Sequence, residues 1–243
     1  MNLYIVIIKM ITKNYGFTII ELLIAVTVVT ILMSIILPML SIIRHKAQQV
    51  VCSNNLRELF LAFEQYANDN NGLLPRSNNN NQSRDNSKTC SAEVWFKAVD
   101  HYLTSSIIPN ERDKISYEER LLLIKQDPIF KTVPLSKQDT TRTIKMNRYL
   151  VPKSECQRSI ESIQNPTRTV LLFDGRIDSS GVANDFEGSH NIVAQRHSKA
   201  ANILFVDGHV ECIQNGDSDG TTNEGWSNSH AGRELVWDPD VDP

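Results

Sequence analysis

No basic tract runs anywhere in this sequence. Its 25 lysines and arginines stand against 28 aspartates and glutamates, the net charge is −3, and the signs are well mixed. A polyanion such as nucleic acid has no cationic footprint here to bind. The sequence also lacks a phosphate-cradling glycine loop, a Ser-His-Asp order and a spaced carboxylate dyad, so no enzyme class is signalled. Cysteine is sparse, limited to Cys52, Cys90, Cys156 and Cys212. The most consequential absence is local: from Leu22 to Ile43 no residue is charged. At about 1.5 Å of rise per residue, a helix over that run reaches across the ~30 Å hydrocarbon layer of a bilayer. The residues from Gly72 onward are correspondingly polar and make up one soluble domain of ordinary size.

The run sits in KNYGFTIIELLIAVTVVTILMSIILPML, residues 13–40, with Glu21 near its start and Pro38 near its end. A cleaved secretory signal has an apolar core of about 7–15 residues and a small-x-small cleavage site. This run is longer, and no Ala-x-Ala follows it. A plain signal anchor fits the length but leaves Glu21 unexplained, because a carboxylate inside a span is costly and functional by default.

The stretch Gly16-Phe17-Thr18-Ile19-Ile20-Glu21-Leu22-Leu23-Ile24-Ala25-Val26 resembles the signature of type IV pilins and type II secretion pseudopilins. The resemblance implies cleavage between Gly16 and Phe17 by a membrane prepilin peptidase, and N-methylation of Phe17. It further implies assembly with other pseudopilins or with itself, an inner-membrane platform as partner, and a structural rather than enzymatic role. Single-pass anchoring in the inner membrane, with the C-terminal domain on the periplasmic side, is implied too. Charge does not fix that orientation, since Lys9 and Lys13 precede the span while Arg44 and Lys46 follow it. The leader MNLYIVIIKMI is more apolar than the family's short basic leaders, and Met10 is read as the true start.

The resemblance gives Glu21 a physical purpose. Cleavage leaves a positive amine on Phe17, and a neighbour's Glu21 can pair with it; a buried charge is tolerated when paired. The competing reading is a glutamate that snorkels to the interface one turn away. Pro38 matches a late proline of the family and removes one backbone hydrogen bond, so a kink is expected, or two helices broken there.

Beyond the span, Val51, Leu56, Leu59, Phe60, Phe63, Tyr66 and Ala67 recur at helical spacing, and Asn68-Asp69-Asn70-Asn71-Gly72 is a stop signal. The expected organisation is a leader over 1–16, a transmembrane helix over 17–43, its extramembrane continuation over 44–71, and an α+β domain over 72–243. The expected fold is pilin-like, with the long helix packed on a C-terminal antiparallel sheet. Residues 77–89 read as an exposed loop, 94–103 as a short amphipathic helix, and 117–126 as a second one. Thr169 to Phe173 reads as a buried strand closed by an Asp174-Gly175 turn. Asn202 to Ile213 reads as a hairpin about Asp207-Gly208, where Asp-Gly favours a type I′ turn.

His197, nine residues, then Asp207-Gly208 resembles the H-x9-DG domain of prepilin-like proteins, with the hairpin near 197–213. CSNNLRELFLAFEQYANDNNGLLP, VWFKAVDHYL and NPTRTVLLFDG are similar to further segments of that family. Thr132-Val133-Pro134 stands where the family often has Cys-Pro, so no disulfide carries over from it.

His190, His197, Asp207 and His209 mix metal-ligand types, but their spacing matches no compact zinc pattern. Asp207 is explained by its turn, and His197 reads as a brace for the hairpin loop. Asn215-Gly216-Asp217-Ser218-Asp219-Gly220 resembles the first half of a calcium loop, with Asp217 and Asp219 as donors, but Trp226 stands where the closing acid belongs. The competing reading is a solvated loop. On the periplasmic side the four cysteines meet an oxidising compartment; three full pairings stay open, Cys156–Cys212 among them. The alternative function is a membrane-tethered binding or metal-dependent hydrolytic module.

Overall fold

The computed structural model describes residues 17–78, 82–103, 121, 124–128, 143–176, 186–197, 199–214 and 235–240. Met10, Gly16, Thr132 to Pro134, Asp217, Asp219 and most of the 117–126 segment lie outside them. The chain divides into two compact units, Met1–Arg44 and His45–Pro243.

One helix, α1 (Ile19–Asp69), carries the chain from the first unit into the second. Every residue from Phe17 to Ala47 on it or just before it is exposed, and the helix is long and apolar enough to cross a membrane. It runs through Pro38 as one continuous helix, so the two-helix reading is set aside. Thr27, Thr30, Ser34 and Ser41 each donate a hydroxyl hydrogen bond to the carbonyl three residues back. Polar side chains are thus satisfied inside the helix, as a lipid environment demands.

In the second unit α1 becomes one-sided. Cys52, Leu56, Leu59, Ala62, Phe63, Tyr66 and Ala67 are buried. The stripe passes through Cys52, not the exposed Val51, because 52, 56, 59 and 63 share one face at 3.6 residues per turn. The helix ends where Asn71 (φ 55°) and Gly72 (φ 76°) turn left-handed and the Gly72 N–H donates to Ala67 O at 2.7 Å, a C-terminal cap.

The sheet contains β1 (Ile144–Asn147), β2 (Val170–Asp174), β3 (Glu187–Gly188), β4 (Ala200–Phe205) and β5 (Val210–Gln214). Their order is β3-β1-β2-β4-β5. The pairs β1–β2, β2–β4 and β4–β5 are antiparallel, but β1–β3 is parallel. The sheet is therefore mixed, which corrects the all-antiparallel expectation. A long connection from β2 to the two-residue β3 leaves the chain free to lie on the far edge in either sense.

Leu56, Leu59 and Phe63 of α1 pack with Ile144, Met146, Leu172 and Leu204 on one face of the sheet. Val170, Phe173, Ala201, Ile203, Phe205 and Ile213 face the other way, against Leu235 and Trp237. Strict alternation would put Val170 and Leu172 on one face. The register shift between them resets the phase, so Leu172 meets the helix face and Asp174 falls there too.

Segment 94–103 forms two single turns, α2 (Trp95–Ala98) and α3 (Asp100–Leu103), rather than one helix. The loop near 77–89 is less exposed than expected: Ser77 and Ser83 are buried. Ser83 and Ser87 hydroxyls and the Ser87 N–H all donate to Asp85 Oδ1, and these bonds lower the Asp85 carboxyl to about 2. A folded-state value below the unfolded one stabilises above about pH 4 and is lost as pH falls through about 2. Carbon-detected titration of Asp85 is expected to show a midpoint near that lower value, and an ordinary aspartate midpoint would refute this turn.

Cys90 and Cys156 form a disulfide with Cα atoms 5.5 Å apart, while Cys52 is buried and Cys212 exposed as free thiols. The Cys156–Cys212 pairing is thereby excluded; Cys212 lies on β5, and Cys156 is drawn instead to the loop that Lys88 and Glu155 also tie together at 2.6 Å. The bridge closes a separation of 66 residues, for which chain entropy gives about 4 kcal/mol. The double variant Cys90→Ala/Cys156→Ala is expected to lose that much in urea unfolding.

The β4–β5 connection is not type I′. Asp207 keeps a negative φ, and only Gly208 is left-handed, at φ +89°. Gly208 N–H donates to Phe205 O, and Phe205 N–H to His209 O, both at 3.0 Å. This is the three-residue loop, an ordinary turn followed by a left-handed glycine. A Cβ on Gly208 would stand 2.4 Å from Phe60 Cε1. Gly208→Ala therefore combines φ strain with overpacking and is expected to cost about 2–4 kcal/mol by thermal or chemical unfolding.

Candidate functional sites: the helix start and a buried charge cluster

The described part of the first unit opens with Phe17 and Thr18 ahead of α1. Thr18 N–H and Thr18 Oγ1 both donate to Glu21 Oε2 at 2.9 Å, and Glu21 N–H donates to Thr18 Oγ1 at 3.2 Å. Thr18 and Glu21 thus form a reciprocal capping box, which satisfies N–H groups that a helix start leaves without partners. Among the described residues no cation pairs with Glu21, which instead closes its own helix. Around it Phe17, Ile19, Ile20, Leu22 and Leu23 are all more than half exposed.

The second unit contains a cluster that brings four distant segments together. Cys52 comes from α1, Asp127 from the 124–128 segment, Asp174 from the end of β2, and His197 from the turn before β4. Their donor atoms lie within 4.8 Å of one another and all four residues are buried. The Cys52 thiol donates to Asp174 Oδ1 at 3.4 Å, and the Asn202 N–H to Asp174 Oδ2 at 2.8 Å. His197 Nε2 stands 3.3 Å from Asp127 Oδ2 and 3.5 Å from Asp174 Oδ2, yet it has no partner in hydrogen-bond geometry. Arg196 Nε donates to Asp127 Oδ2 at 2.8 Å, and its other nitrogens donate to the carbonyls of Gly175 and Thr143. Asp127 N–H is held by Thr143 Oγ1 at 2.7 Å.

Burial pushes the Asp174 carboxyl up, against the pull of Arg196. Burial, reinforced by Asp174 and Asp127, drives the Cys52 thiol well above its ordinary range. Burial holds the thiol neutral, and the Arg196 guanidinium offsets part of the cost of burying the Asp174 carboxyl.

Residues 11–37 match the prokaryotic N-terminal methylation motif. That motif supports peptidase processing and pilin-type assembly, and with α1 it fits a membrane-anchored, type IV pilin-like protein. No curated protein and no solved structure matches the chain.

Of the residues singled out in the sequence, Phe17, Glu21 and Pro38 all lie on or beside the exposed half of α1. His197 and the Asp207-Gly208 pair are not joined through their side chains. Asp207 instead pairs with His209, within its own turn, and His209 stacks on Phe205 at 4.2 Å between centroids. His190 lies edge-on to Trp237. Asp127, Asp174, Cys52 and Arg196 were not foreseen as partners of His197. The one signal present was Asp174 itself, an acid abutting the apolar run Val170 to Phe173, but Asp-Gly reads more simply as a turn. Asp174 is instead the last residue of β2.

Proposed function

We propose that this chain is a pseudopilin-like structural subunit. The peptidase cuts between Gly16 and Phe17, Phe17 is N-methylated, and α1 packs with α1 of other subunits into a short filament of a type II secretion or type IV pilus-like apparatus. The carrying observation is the methylation motif on a helix whose first half exposes apolar side chains all round. A helix of that kind is stable only in lipid or against other helices. Glu21 then leaves or shares its capping role to meet the Phe17 ammonium of a neighbour, in a register fixed by charge pairing.

The rest of the chain is read as facing an oxidising compartment, and the Cys90–Cys156 bridge supports that side of the membrane. The reading is non-enzymatic. Among the described residues the most reactive-looking groups, Asp127, Asp174 and His197, are each no more than 3% exposed, which weighs against contact with a substrate. The same burial weighs against a hydrolytic role for this cluster.

The test is photo-crosslinking in membranes that contain the processing peptidase and an assembly platform. A crosslinker at Ile20 is expected to capture a second copy through a peptide beginning at Phe17. Adducts with lipid alone would defeat the assembly reading.

A further inference from the structure

We propose that Cys52, Asp127, Asp174 and His197 form a closed zinc site inside the second unit. This goes beyond the assembly reading and does not depend on it, because all four residues lie in the His45–Pro243 unit.

The donor geometry is the first support. A tetrahedral zinc with nitrogen and oxygen ligands near 2.0–2.2 Å and sulfur near 2.3 Å holds its ligand atoms about 3.3–3.6 Å apart. With one oxygen from each carboxylate, two edges meet that requirement, His197 Nε2 to Asp127 Oδ2 at 3.3 Å and His197 Nε2 to Asp174 Oδ2 at 3.5 Å, and Cys52 Sγ lies 3.4 Å from the other oxygen of Asp174. No donor of the four is farther than 4.8 Å from another, so small rotations of the carboxylates bring all of them onto one ion.

His197 is the second and independent support. Its Nε2 is buried, stands within 3.5 Å of an oxygen of each of two carboxylates, and makes no hydrogen bond. An imidazole nitrogen in a protein interior rarely goes unsatisfied. An imidazole nitrogen left without a hydrogen bond among two carboxylates and a thiol is an arrangement a metal satisfies.

Charge supplies the third. A zinc-bound Cys52 is a thiolate, so the ligands carry three negative charges with His197 neutral. The divalent ion and Arg196 carry three positive ones. Arg196 binds Asp127 through Nε at 2.8 Å and is fixed by two backbone carbonyls, the part an outer-shell partner plays in orienting a ligand. Thiolate and imidazole together favour zinc over magnesium or calcium. Four protein ligands leave no open position, which makes the site structural. Its effect is to clamp α1, the 124–128 segment, the end of β2 and the turn before β4 to one point.

The experiment uses the full-length chain purified in detergent from zinc-replete cells. Elemental analysis is expected to find about one zinc per chain, and chelation is expected to lower the Tm. Replacing zinc with Co²⁺ should give a thiolate-to-cobalt charge-transfer band. Cys52→Ser should abolish that band, while Cys212→Ser, which changes the exposed thiol, should keep it. Less than about one-tenth of an equivalent in the wild-type protein, both as purified and after Co²⁺ titration, overturns the proposal. A band that survives Cys52→Ser or vanishes with Cys212→Ser overturns it as well. Should Cys52→Ser fail to fold, the wild-type metal content and the chelator shift in Tm decide: an unchanged Tm counts against the site. Processing at Gly16 is expected to proceed in either case, so this result and the assembly result are separable.

Discussion

Glu21→Gln is expected to be cleaved by the prepilin peptidase like the wild type, yet to enter filaments at least about tenfold less well. The comparison is informative because two explanations of Glu21 part company on it. As a capping residue it accepts hydrogen bonds from Thr18 N–H and Oγ1, and glutamine does that almost as well, since capping boxes use either residue. As the partner of a neighbour's terminal ammonium it needs its charge. Removing one member of a buried ion pair leaves the other uncompensated, at a cost of about 3–5 kcal/mol, and each 1.4 kcal/mol is about a factor of ten in an equilibrium. Glu21→Ala is expected to fail at assembly too, through both losses. Filament yield after shearing, normalised to processed protein in the membrane, measures the effect. Normal yield for Glu21→Gln beside a poor one for Glu21→Ala would assign Glu21 to its own helix alone.

Asp174→Ala is expected to be the most destabilising single change in the His45–Pro243 unit, by about 3–5 kcal/mol. Asp174 is fully buried. Its carboxylate accepts from the Asn202 N–H and the Cys52 thiol, and it lies 3.7 Å from Arg196. Alanine leaves a buried backbone donor unsatisfied, deprives the Arg196 guanidinium of one of its two carboxylates, and opens a cavity between α1 and the sheet. The raised carboxyl shows that the buried charge is itself held at some cost. Removal is nevertheless unfavourable, because the partners remain behind. Urea unfolding followed by tryptophan fluorescence reads the change, with Trp95 and Trp237 buried on opposite faces of the sheet. A loss below about 1 kcal/mol would mean that the cluster contributes little to this fold.

What the sequence discloses, and what it hides, follows from the range of each interaction. The exposed half of α1 is legible because lack of charge over one run is a local property. The buried stripe is largely legible, with Val51 expected where Cys52 is buried, Phe60 only partly buried, and Ala62 missed. The hairpin about Asp207-Gly208 is legible in position but not in turn type, because glycine alone meets the need for positive φ. The Cys90–Cys156 pairing is hidden, since four cysteines leave three pairings open. The cluster is hidden more deeply. Asp127, Asp174 and His197 come from three unlinked segments, and the nearest Asp-Gly downstream of His197 is the wrong partner for its side chain. A strand register shift between Val170 and Leu172 decides which way Asp174 points, and no pattern of single residues announces that shift.

The most direct measurement of the central claim is the N-terminal sequence and intact mass of the protein recovered from membranes with an active prepilin peptidase, beside membranes without one. The account predicts a chain that begins at Phe17 and bears one methyl group on its terminal nitrogen only where the peptidase is present. A chain that keeps residues before Phe17 in both membranes would contradict it.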